Sequence, residues 1–73
     1  MERKIYIMEN LGCANCAAKM EAAINKIDGI HAATLNFLTL KLKIDADDAR
    51  FESIMDEVEA VCHKIEPDCV IKR

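Results

Sequence analysis

The stretch ATLNFLTLKLKI, residues 33–44, alternates apolar and polar side chains over most of its length. A period of two residues is typical of β-strands, because successive side chains point to opposite faces of a sheet. The alternation slips around Leu38, where a short connection is expected. The stretch therefore predicts two strands, 30–37 and 39–45, that form a hairpin with one buried face.

A helix is predicted on each side of this hairpin. Residues 14–27 are rich in alanine and carry apolar side chains at helical spacing, and Gly29 follows as a residue typical of helix C-termini. A second helix should start at an N-cap within residues 45–48 and end before Pro67. Its predicted apolar face consists of Phe51, Ile54, Met55, Val58, Val61, Cys62 and Ile65.

Short apolar runs at residues 4–9 and 69–72 predict a first and a last strand. The order βαββαβ predicts an α+β, ferredoxin-like fold: a four-stranded antiparallel sheet with two helices on one face. A chain this short is expected to form one domain, residues 1–73. If Tyr6 and Met8 face the helices, Ile5 and Ile7 form an apolar patch on the open face, suited to contact with another domain.

Composition limits the classes of function. The net charge is −3 and the isoelectric point about 5.3, without the clustered Lys and Arg that bind nucleic acid. No apolar segment reaches the roughly 20 residues that cross a bilayer, and the N-terminus does not resemble a secretory signal. We therefore expect a cytoplasmic protein, with no nucleic acid partner and no membrane insertion, whose four cysteines are free thiols.

The motif Cys13-Ala14-Asn15-Cys16 lies where the first loop becomes a helix. Free N–H groups and the helix dipole favour thiolates there, and thiolates bind soft metals such as Cu+ and Zn2+. The motif therefore predicts a metal site. The alternatives are a dithiol oxidoreductase and two small structural residues. A zinc ribbon would need a second close pair, which the spacing of Cys62 and Cys69 does not provide.

These residues resemble the heavy-metal-associated domain family, which includes small copper chaperones and N-terminal domains of metal-transporting P-type ATPases. The element order and the position of Cys13 and Cys16 match over essentially the whole chain. Leu11 stands where family members usually carry a methionine that packs beside the loop. The segments CANCAAKME (13–21), IDGI (27–30) and LNF (35–37) are most similar to zinc-, cadmium- and lead-transporting ATPases.

The resemblance implies one metal ion held by Cys13 and Cys16. It also implies that the loop after the second helix lies beside them, which makes Glu66, Asp68 and Cys69 candidate additional ligands. Zinc prefers four ligands and accepts oxygen, whereas two sulfurs satisfy linear Cu+. An acidic loop therefore favours Zn2+ or Cd2+, with Cu+ as the alternative.

The predicted function is metal binding without catalysis, as the cytosolic N-terminal domain of a heavy-metal P-type ATPase. Its partners would be the membrane domain of the transporter or a metallochaperone. The chain lacks the DKTGT sequence that such an ATPase phosphorylates. A free copper or zinc metallochaperone is the alternative. An RNA-binding domain on the same fold would need stacking aromatic residues and a basic face. Cys62 is expected in the core, and His31 and His63 on the surface.

Overall fold

The computed structural model describes residues 2–73, and Met1 lies outside them. The strands form one antiparallel sheet in the order β2-β3-β1-β4, with both helices packed on one face. The predicted ferredoxin-like fold is confirmed. Its elements are β1 (Glu2–Glu9), α1 (Ala14–Ile24), β2 (Ile30–Asn36), β3 (Lys41–Ala46), a 3₁₀ turn (Asp48–Arg50), α2 (Phe51–Ile65) and β4 (Val70–Lys72).

The central hairpin has the predicted buried face. Ala33 lies opposite Ile44 and Leu35 opposite Leu42, and all four side chains are buried. β3 begins at Lys41, not at residue 39 as predicted. Leu40 has a φ of 57°, a left-handed conformation that does not fit an extended strand, so the turn continues through it.

The first helix is shorter than predicted and ends at Ile24 instead of residue 27. After Ile24 the turn tightens, because the N–H groups of residues 26 and 27 donate to the carbonyl oxygens three positions earlier. The side chain of Asn25 lies at this point, and its Nδ2 donates to the carbonyl oxygens of Glu21 (2.8 Å) and Ala33 (2.9 Å). Its Oδ1 accepts from the Ala33 N–H (2.9 Å). Asn25 therefore joins the end of α1 to the edge strand β2, and the chain leaves the helix there.

The start of the second helix also differs from the prediction. Asp47 precedes the 3₁₀ turn, but its carboxylate does not cap the following N–H groups. It lies 2.9 Å from Nε2 of His31 and 3.5 Å from a guanidinium nitrogen of Arg50. The N-cap position therefore lies within residues 45–48 as predicted, but the Asp47 carboxylate bonds to His31 and Arg50 instead of to the backbone. His31 is exposed, as predicted.

The core lies between the sheet and the two helices. Met8 is fully buried, so the face of β1 that carries Met8 points inward. Cys62 is buried as predicted. Within residues 2–73, neither helix is both long and apolar enough to cross a membrane. The fully or almost fully buried large side chains are Met8, Met20, Ile24, Leu42, Ile44, Met55, Val58, Cys62 and Cys69.

The last residue is attached to the second helix. The guanidinium of Arg73 donates to carboxylates of Glu52 (2.8 Å), Asp56 (3.1 Å) and Glu59 (3.2 Å). Because β1 runs toward the loop before α1 and the antiparallel β4 runs away from the loop after α2, these two loops lie at the same end of the sheet. Arg73 follows Lys72, which lies opposite Ile7, so it lies beside the middle of β1 and the first half of α2.

Candidate metal site

The Cys13 and Cys16 thiols come together at the start of α1. Asn10 has a φ of 61°, a left-handed conformation that asparagine tolerates, and it turns the chain out of β1. Cys13 is extended, with φ −142° and ψ 124°, and immediately precedes the helix, while Cys16 lies in the first turn. Both are half-buried and their side chains hydrogen-bond with each other. The predicted placement of the pair is confirmed.

The local backbone favours a thiolate at Cys13. Its sulfur accepts hydrogen bonds from three donors. In order of their effect on the pKa, they are the backbone N–H of Cys16, the Cys16 thiol and the backbone N–H of Asn15. These donors lower the pKa of Cys13 below its ordinary value. They belong to the first helical turn, where N–H groups have no partner within the helix.

Cys16 has the opposite character. Its hydrogen bond to Cys13 is the largest cause, followed by burial and by a side-chain hydrogen bond with Glu66, and together they raise the pKa of Cys16 to about 11. Each effect favours the neutral thiol over the thiolate. The pair therefore consists of a more acidic first thiol and a less acidic second one.

Glu66 reaches the pair from the other half of the fold. It follows the last residue of α2 in an extended conformation, and its N–H donates to the carbonyl oxygen of Cys62 (2.8 Å). Its side chain is half-buried and approaches Cys16. The expectation that the loop after α2 lies beside the cysteines is met at this residue, while Asp68 is exposed to solvent.

Cys69, the third candidate in that loop, is almost completely buried at 1% exposure. Its thiol hydrogen-bonds with Cys62. Burial is the main cause that raises the pKa of Cys69, and it raises the pKa of Cys62 to about 12. Such thiols are chemically inert, because the thiolate is the reactive form.

His63 has a role that the sequence did not reveal. Its Nε2–H donates to the backbone carbonyl oxygen of Cys69 (2.9 Å), since a carbonyl oxygen can only accept. This bond ties the last turn of α2 to the end of the loop that carries Glu66. The only available signal was that His63 lies on the polar side of the helix, six positions before Cys69.

Leu11, which stands in the place of a packed methionine, is buried at 6% exposure.

The donor atoms determine what the site can bind. Two sulfurs that can both ionise suit soft and borderline ions, and the nearby Glu66 carboxylate adds an oxygen donor suited to a divalent ion. Within residues 2–73, no set of three or more His, Cys, Asp or Glu side chains is already arranged to hold a metal ion. A third ligand would therefore have to move toward the ion as it binds.

Comparison with known proteins identifies the family. The model of the family described as "Heavy-metal-associated domain" matches residues 5–65. This chain belongs to that family. The domain is 29% identical over 68 residues, 93% of its length, to the cadmium, zinc and cobalt-transporting ATPase of Bacillus subtilis. It spans only 10% of that ATPase, and similarly small shares of ATPases from other bacteria.

The heavy-metal-associated domain also has relatives that are named for copper. It is 30% identical over 50 residues to the copper chaperone CopZ of Staphylococcus aureus, which is 68% of this chain and 74% of the chaperone. Its fold matches the solution structure of the yeast copper transporter domain CCC2A with a TM-score of 0.77, at 16% identity and with 100% and 97% of the two chains covered. The resemblance to metal-transporting ATPases is confirmed, and the relatives include both cadmium–zinc and copper proteins.

Proposed function

We propose that the domain binds one divalent metal ion, Zn2+, Cd2+ or Pb2+, through the thiolates of Cys13 and Cys16. In this proposal it is the cytosolic metal-binding domain of a heavy-metal P-type ATPase and catalyses no reaction itself. The observation that carries the proposal is the nearness of the Glu66 carboxylate to Cys16, which is close enough to raise the pKa of the thiol. It puts an oxygen donor next to two sulfurs, a set that suits a divalent ion better than Cu+.

Among the three loop candidates, Glu66 has the best position for a further ligand. Its carboxylate is near enough to Cys16 to raise the pKa of that thiol, whereas Asp68 is exposed and the Cys69 thiol is buried against Cys62. When a metal displaces the Cys16 proton, the nearby Glu66 carboxylate can turn to the bound cation.

The partners follow from the same proposal. A domain that carries a metal ion must receive it from one site and pass it to another. We assign these sites to the membrane domain of the transporter and to a metallochaperone. The similarity to cadmium-, zinc- and cobalt-transporting ATPases supports the first arrangement. The chain also spans 74% of a copper chaperone, which supports the alternative of a free metallochaperone.

The experiment that tests the proposal replaces both Cys13 and Cys16 by serine. Cd2+ binding, followed by thiolate-to-metal charge-transfer absorption, should be lost, while the circular dichroism spectrum stays unchanged because neither side chain belongs to the core. The matched control is Cys62→Ala, which removes a thiol that lies away from the pair and should keep one ion per chain. Binding of Cd2+ by the double variant with the parent affinity would disprove the assignment.

A dithiol oxidoreductase remains the second candidate, and one observation favours it. A lowered pKa at the first cysteine of the motif and a raised pKa at the second also suit thiol–disulfide exchange, in which the first cysteine attacks and the second resolves. Reduction of insulin disulfides by the metal-free domain would support this candidate. Stoichiometric metal binding without reductase activity would support the metal-binding domain.

A further inference from the structure

The face of the sheet that carries no helices is partly apolar. On β1, Ile5 and Ile7 are 61% and 43% exposed, and on β4 Val70 is 42% exposed. Val70 lies opposite Glu9, so it is a diagonal neighbour of Ile7 on the same face. These three residues form a continuous strip, called the open-face strip below. Three large aliphatic side chains in a row on one exposed sheet face are the usual mark of a contact surface.

Basic side chains border the open-face strip. Across the sheet, Lys43 lies opposite Ile5 and Lys41 opposite Ile7 on one side, and Lys72 lies opposite Ile7 on the other. Lys72 is 3.5 Å from a carboxylate oxygen of Glu9. Within residues 2–73, neither Lys41 nor Lys43 has an acidic side chain at ion-pair distance. Two adjacent lysines are thus available to an external carboxylate.

The charge of the open face is opposite to that of the whole chain. The net charge is −3, yet this face has more basic than acidic side chains, so the remaining surface is the more strongly acidic part. A surface that concentrates basic side chains around apolar residues on an acidic protein attracts acidic partners. The charged side chains of the open face are Arg3, Lys41, Lys43 and Lys72, against Glu9 and Asp45.

The open face also has a depression beside Lys43. A volume of about 120 Å³ is lined by residues of three strands, because the side chain at position 32 is only a methyl group. Arg3 and Asp45 form an ion pair of 3.6 Å at its rim. The depression gives the flat sheet a recess in which a partner's side chain can be held. Its lining residues are Arg3, Ala32, Thr34, Lys43 and Asp45.

We propose that the open face is a docking surface for an acidic protein segment with apolar side chains between its carboxylates. The apolar side chains cover the open-face strip, and the carboxylates pair with Lys41 and Lys43. A nucleic acid does not fit, because the strip is aliphatic and offers no ring for base stacking. An anionic membrane fits less well, because the acidic remainder of the domain is repelled by it. The surface shares no residue with the thiol pair, and of the strip only Val70 comes directly after the loop that carries Glu66.

The test uses the 15N-labelled domain and a synthetic peptide in which glutamate and leucine alternate. We expect shifts of the amide signals of β1 and β3, at least tenfold weaker binding in high salt, and the same affinity with and without Cd2+. The double variant K41E/K43E should bind at least tenfold more weakly. K41Q/K43Q, a milder change in case the first variant does not fold, should show a smaller loss. The matched control K19E/K26E makes the same charge change on the helical side and should bind like the parent.

Several outcomes would overturn the proposal. The first is the absence of amide shifts, and the second is shifts confined to the helices. The third is a loss of peptide binding in K19E/K26E equal to that in K41E/K43E, which would show that binding depends only on the net charge of the domain. Sedimentation of the domain with phosphatidylglycerol vesicles, together with no response to the peptide, would assign the face to a membrane. Salt-sensitive self-association without peptide binding would assign it to a second copy of the chain. The metal-binding assignment survives all of these results, since it depends on other residues.

Discussion

The carboxylate of Glu66 lies beside the thiol of Cys16 and raises the pKa of that thiol. The first residue lies just beyond the end of α2 and the second in the first turn of α1, so the contact joins the two halves of the βαββαβ fold at the end of the sheet. It also couples the protonation of a sulfur to the charge of an oxygen. The chemistry of the thiol pair is therefore set by a residue fifty positions away in the sequence.

Glu66→Gln should weaken the binding of Zn2+ and Cd2+ about tenfold, a loss of roughly 1.4 kcal/mol. Glutamine retains the size of the side chain but removes the anionic oxygen that a divalent ion would recruit. Cu+ affinity should change little, because two sulfurs satisfy it. Competition titrations with a chromophoric chelator measure all three affinities.

The controls for this prediction are the other two candidates in the loop. Asp68→Asn removes an equal charge at an exposed position, and Cys69→Ala removes the buried thiol, so the two separate a general charge effect from a ligand effect. If all three variants bind divalent ions like the parent, the loop is structural and copper is as good a candidate as zinc.

The two thiols should react at different rates in the metal-free domain. Cys13, whose pKa is lowered, should be alkylated by iodoacetamide before Cys16, whose pKa is raised to about 11. Glu66→Gln should accelerate alkylation of Cys16, because it removes a negative charge that opposes ionisation. Peptide mass spectrometry after short exposure gives the order. Cys62 and Cys69 serve as internal controls, since both are buried and should stay unmodified in the folded state. Faster modification of Cys16 than of Cys13 would contradict the asymmetry.

Metal affinity should fall as the pH is lowered. With a pKa of about 11, Cys16 is protonated in the metal-free domain at neutral pH, so binding must release its proton. Cys13, with its lowered pKa, releases a further fraction. The logarithm of the affinity should therefore rise with pH with a slope between about one and two near neutrality. Calorimetry in buffers of different ionisation enthalpy measures the number of protons, and a value near zero would exclude Cys16 as a thiolate ligand.

The sequence predicted the elements that repeat a local pattern. Alternation in residues 33–44 predicted the hairpin, since burial of Ala33, Leu35, Leu42 and Ile44 requires only a period of two. The position of Cys13 and Cys16 at a loop–helix junction could likewise be predicted from neighbouring residues alone. The inward face of β1 was not predictable, because both faces of Ile5-Tyr6-Ile7-Met8 are apolar and only the tertiary packing of Met8 distinguishes them.

What the sequence did not predict depends on side chains that meet through the fold. Glu66, and not Asp68, lies near Cys16 because of the direction in which the chain leaves α2, where Glu66 has φ −136° and ψ 92°. The link between the end of α1 and β2 depends on the hydrogen bonds of Asn25 to the backbone of Ala33, eight residues later on an edge strand. Neither propensity nor spacing describes such contacts, because both are properties of single segments.

Asn25→Ala should lower the free energy of unfolding by about 1–3 kcal/mol, because the N–H and carbonyl groups of Ala33 on the edge strand lose their partner. Urea denaturation measures the loss. Lys26→Ala changes the next exposed residue and should stay within about 0.5 kcal/mol of the parent. Equal stability of the two variants would show that water replaces the Asn25 bonds without cost.

The bonds between Arg73 and the carboxylates of α2 hold the end of β4 against the first half of that helix. Glu2, opposite Ala46, lies at the end of β1 away from the loop that carries Cys13. A polypeptide joined ahead of Glu2 would therefore leave the molecule at the end of the sheet opposite the thiol pair. A linker there would not cover the sulfurs.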